Sequence, residues 1–154
     1  MFEIDCSVLY LLQELLVGPS SPAPNSMRLQ TKLLTGPNER DYVLIIASGV
    51  LDISGLKQIL TKVAAAAMRH IDCRALIDLI ETHCELDVVQ IDRLLQEPAA
   101  ELWTRECKTA LVSSPSDADY GRLSLVSASL VRHGLRFAAF RDAKAAVEWL
   151  DREP

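Results

Sequence analysis

Aromatic side chains are few and scattered: Phe2, Tyr10, Tyr42, Trp103, Tyr120, Phe137, Phe140 and Trp149 offer no cluster on which nucleic-acid bases would stack. Positive charge is also short. Asp and Glu outnumber Lys and Arg by 21 to 16, a formal net charge of −5. That balance removes the attraction to phosphate backbones on which non-specific nucleic-acid binding depends. DNA and RNA are therefore not expected partners.

Long apolar runs are missing as well. The stretch from Ile4 to Val17 is too short to span a bilayer, and Glu3, Asp5 and Glu14 contradict the basic start and unbroken apolar core of a signal peptide. No CxxC spacing occurs among Cys6, Cys73, Cys84 and Cys107. Each lies in an apolar segment where a reduced thiol behaves as a small hydrophobe, so a reducing, cytoplasmic setting is expected. The composition is otherwise that of an ordinary soluble protein, 49% hydrophobic and 24% charged, in 154 residues, enough for one core without a cofactor.

Residues 18–26 place three prolines among small polar residues, which reads as an extended linker. Before it, Ile4, Val8, Leu11, Leu12, Leu15 and Leu16 recur at helical spacing. The chain divides accordingly into an N-terminal amphipathic helix and linker, 1–26, and a domain, 27–154. Met27 reads as the natural start of that domain, with residues 1–26 an appended segment or a misassigned translation start.

Within the domain, Leu29–Leu34 and Tyr42–Ala47 read as strands joined by a Gly36-Pro37-Asn38 turn. Asp52 or Ser54 caps a helix whose buried stripe is Leu56, Ile59, Leu60, Val63 and Ala67. Ala75–Leu79 is a strand buried on both faces. Asp87 with Gln90 forms a capping box ahead of Val88, Ile91, Leu94 and Leu95, and Pro98 interrupts or restarts that helix. Thr109–Val112 is a further buried strand, and a helix runs from about Tyr120 to His133, closed by Gly134. Leu135–Phe140 is the last strand, and Asp142 caps a final helix. The order ββαβαβαβα predicts an α/β fold: a single small domain with a mixed, mostly parallel five-stranded sheet and four covering helices.

Three stretches, Tyr42–Gly49, the strand ending at Leu79, and Phe140–Leu150, give residues 27–151 a text that resembles the STAS/SpoIIAA-like family. The resemblance implies a small scaffold for protein partners, with lipid-like or nucleotide ligands in some relatives. It also implies bacterial signalling. Antagonists of this family carry a phosphorylatable Ser just after the central strand, at the start of the next helix; here that segment reads Asp78-Leu79-Ile80-Glu81-Thr82-His83-Cys84-Glu85-Leu86-Asp87, with Thr82 as its only hydroxyl and acidic neighbours, Glu81 and Glu85, that repel phosphate.

The candidate partner or ligand loops hold Gly49, Asp52, Thr82, His83, Cys84, Ser113 and Ser114. His83 beside Cys84 invites a nucleophile and base pair, but adjacent residues point apart, and an enzyme would need His83, Cys84 and Asp78 in coordinated geometry. His70, Cys73, His83 and Cys84 do not make a metal site, since a strand's length separates the pairs. The Ser113–Asp119 loop lies where α/β sheets bind anions, yet Asp117 and Asp119 oppose one, and Arg122 and Arg141 are expected to be solvated. Trp103 and Trp149 are expected as core anchors. No catalytic residue, metal or cofactor is expected. The expected function is a non-catalytic regulatory or protein-interaction module without the usual Ser phosphoswitch. The alternative is a small apolar-ligand or lipid-sensing domain with a pocket between the sheet and the helix after Asp87. A homodimer is compatible with either.

Overall fold

The computed structural model describes residues 27–35, 41–69, 73–98, 100–103 and 107–152. The N-terminal helix and linker, the 36–38 turn and His70 lie outside the described residues. Strands β1 (Arg28–Thr35) and β2 (Asp41–Leu51) run antiparallel, while β3 (Cys73–Cys84), β4 (Cys107–Ser113) and β5 (Phe137–Phe140) continue the sheet in parallel, in spatial order β1-β2-β3-β4-β5. Crossovers are made by α1 (Ile53–Arg69), by α2 (Val88–Leu94) followed by the short α3 (Ala100–Trp103), and by α4 (Asp117–Arg132). A last helix, α5 (Ala143–Asp151), follows β5. The predicted sheet and four principal helices are all present; α3 is the piece that restarts after Pro98.

Because β2 to β5 step across the sheet in one direction and parallel crossovers are right-handed, α1, α2 and α4 must all lie on the same face. Side-chain parity agrees. Ile45, Ile77 and Leu111 meet Leu56, Ile59 and Leu60 of α1, Ile91 and Leu94 of α2, and Leu123, Val126 and Leu130 of α4 in one core. Among the described residues the opposite face is covered by α5, whose Ala146 and Leu150 pack on Leu76, Ala110 and Val112. Each large side chain so buried contributes about 1.5–3 kcal/mol.

Local chemistry places the ends. The capping box at Asp87 and Gln90 forms as predicted, with Asp87 Oδ1 accepting from the Gln90 N–H at 2.8 Å. Asp52 accepts from the Gly55 N–H, Asp142 from the Ala145 N–H, and Gly134 closes α4 at φ +92°. Lys108, buried in β4, donates to the carbonyls of Trp149 and Arg152 and stacks on the Trp149 ring, which satisfies orphan carbonyls at the end of α5. Trp103 is a buried anchor whose Nε1–H donates to Thr61 Oγ1 at 3.2 Å; Trp149 is only half-buried and packs against Phe140.

Two expectations are corrected. Cys73 and Cys107 are register partners at the starts of β3 and β4, 4.7 Å apart at Cα, and are joined as a disulfide, so they are not the reduced thiols expected. The strands β2 and β3 also run on to Leu51 and Cys84. Gly49, Thr82, His83 and Cys84 therefore stand in strands, not in loops, as does Ser113, the last residue of β4.

Candidate functional site at the extended end of β3

β4 ends at Ser113, opposite Leu79, and beyond that point β3 pairs with β2 alone. Between Ile46 and Ser48 of β2 the facing strand advances from Asp78 to Glu81, one residue more, so β3 carries a bulge there. Bulges re-aim side chains. Ile80 and Glu81 are consecutively exposed, and from Glu81 to Asp87 the chain alternates strictly: Glu81, His83, Glu85 and Asp87 outward, Thr82, Cys84 and Leu86 inward. Ile80 is 44% exposed and Val89 60%. The result is a projecting ridge with three carboxylates, one imidazole and apolar points at either end.

Beneath the ridge the polar groups are bound to one another. Asp119, in the first turn of α4, is buried; it accepts the Cys84 N–H at 3.2 Å and the Ser114 hydroxyl at 2.7 Å, and His83 Nδ1 stands 3.3 Å away. Burial acts to push the Asp119 carboxyl up. The Ser114 and Cys84 hydrogen bonds, then the charges of His83 and Arg122, outweigh it and hold the group below the usual carboxylate range. Arg122 donates to the Cys84 carbonyl at 2.6 Å and so is not simply solvated. Arg141 bridges to Asp117 at 2.6 Å and lies over the Tyr120 ring.

The remaining candidates are equally committed. Thr82 is buried and its hydroxyl donates to the Leu79 carbonyl inside the bulge at 2.8 Å. Ser113 donates to the Ser114 carbonyl. Cys84 is a free, fully buried thiol that burial pushes up, above the ordinary range, so it stays protonated and unreactive near neutrality. Asp78 accepts from the Ile80 N–H at 3.0 Å. Among the described residues no three His, Cys, Asp or Glu side chains gather as metal ligands. The predicted apolar-pocket position between sheet and α2 is occupied by Leu86, Ile91 and Leu94, each buried.

The structure thus brings His83, Cys84 and Ser114 together around Asp119, the residue that sequence reasoning treated only as an obstacle to anions. Gly49 lies one strand over, opposite Thr82, at φ +109°. Asp52 is used as the α1 cap. Among the described residues no helix is long and apolar enough to cross a membrane.

Comparison with known proteins finds no matching family model and no matching curated protein. Among solved structures, the chain is similar to an uncharacterised DUF3478-family protein with a SpoIIAA-like fold from Shewanella loihica PV-4, at 18% identity and a TM-score of 0.49, over 86% of this chain and 99% of that one.

Proposed function

We propose that this protein is a non-catalytic regulatory module that binds a basic protein partner through the ridge Ile80–Val89. One observation carries the reading: at the extended end of β3 the hydroxyls and thiol are buried and internally bonded, while the solvent-facing side is a row of carboxylates with apolar ends. Such a surface recognises by charge complementarity and apolar contact, not by covalent chemistry. The absence of the family's Ser and the burial of Thr82 support binding without a phosphoswitch. A cytoplasmic, bacterial signalling setting belongs to this reading, and the Cys73–Cys107 disulfide, of a kind rare in that compartment, makes the redox state of the cellular protein a direct check.

The test is affinity capture from the source cell with the full chain and with a Glu81→Lys/Glu85→Lys variant. A partner retained by the native chain, released by salt and lost with the variant supports the reading. Capture unaffected by the variant, or a co-purified small molecule without any protein, overturns it in favour of a different surface or of ligand sensing.

A further inference from the structure

Along the β1 edge of the sheet the charge is reversed. A groove of about 300 Å³ runs between β1 and α1; Leu33, Val43 and Ala66 contribute its apolar floor, and Lys62 and Arg69 of α1 line it. Among the described residues no acidic one lines it, in a chain whose net charge is −5. Leu33 is 60% exposed there. β1 is an edge strand, pairing only with β2 among the described residues, so its outer row of backbone N–H and C=O groups along Arg28–Thr35 is a template for another strand.

We infer that this edge accepts an extended acidic peptide segment of a partner, which adds as a strand beside β1 and lays its α1-facing side chains in the groove. The spacing fits. Lys62 and Arg69 are two turns apart on one helix face, about 10.5 Å along the axis at 1.5 Å per residue. Carboxylates four residues apart on a strand share a face and are separated by about 13.6 Å at 3.4 Å per residue, within the reach of long side chains. A small apolar residue midway between them would stand over Leu33. Main-chain pairing would supply affinity, and the groove would select acid-apolar-acid at alternate positions. This surface is independent of the acidic ridge.

The probe is a fluorescent peptide, Thr-Glu-Thr-Val-Thr-Glu-Thr, titrated by anisotropy with the full chain. Saturable binding is expected, at least tenfold weaker for Lys62→Glu/Arg69→Glu and for the peptide with both Glu replaced by Lys. Two further peptides, N-methylated at the odd or at the even residues, test pairing: one should bind and the other should lose at least tenfold. Equal affinity of both methylated peptides, or no effect of charge reversal, overturns the inference. So does absence of binding at millimolar peptide. If a chain starting at Met27 binds the peptide and the full chain does not, residues 1–26 are the occupant; if native mass spectrometry shows a dimer that the peptide cannot dissociate, a second copy is. Either result also overturns it.

Discussion

The Cys84 N–H donates to Asp119 Oδ1 across 3.2 Å, tying the tip of β3 to the first turn of α4, 35 residues later in the chain. The bond holds the projecting ridge against the helix that comes after β4. Removing the carboxylate strands both the Cys84 N–H and the Ser114 hydroxyl, and a buried polar group without its partner costs about 1–3 kcal/mol. Asp119→Ala is expected to lose roughly 2–6 kcal/mol in urea denaturation, by that reckoning.

The same carboxylate sets an acid dependence. Its folded value lies below its unfolded one, so the unfolded chain binds the proton more readily. The stabilisation is therefore fully present above the unfolded value, about pH 4 for an ordinary Asp, and is lost as pH falls through the lower folded value. Asp119→Asn should be less stable than the native protein at pH 7, and the gap should narrow in denaturation curves taken from pH 5 down to pH 2.

Cys84 should resist iodoacetamide at pH 7.5 in the folded protein and react once the chain is unfolded, as read by peptide mass mapping. Rapid labelling of the native state would contradict both its burial and its raised titration.

The Cys73–Cys107 crosslink joins residues 34 apart in sequence. Loop-closure entropy assigns such a bond about 3–4 kcal/mol. Reduction, or Cys73→Ser/Cys107→Ser, should lower the urea midpoint accordingly.

Much of the fold is legible because its signals are local. Asp87 and Gln90, Asp142 and Gly134 announce helix ends through their own backbone needs, and Leu56, Ile59, Leu60 and Val63 mark one face of α1. The tip of β3 is harder to read. Glu81 to Asp87 alternates between outward and inward positions, but Thr82 and Cys84 are weak apolar signals, and the bulge at Leu79–Ile80 breaks the period before them. Asp119 is hidden for a different reason: its partners come from β3 and from the loop after β4, and no spacing along the chain encodes that meeting. The disulfide is likewise a property of strand register, which places Cys73 beside Cys107.

Among the described residues α5 is the one helix that covers its face of the sheet, and it follows all five strands. Undocking of α5, without unfolding of the sheet, would expose Leu76, Ala110 and Val112 to water; the packing of Ala146 and Leu150 and the bonds of Lys108 to the carbonyls of Trp149 and Arg152 keep that face closed.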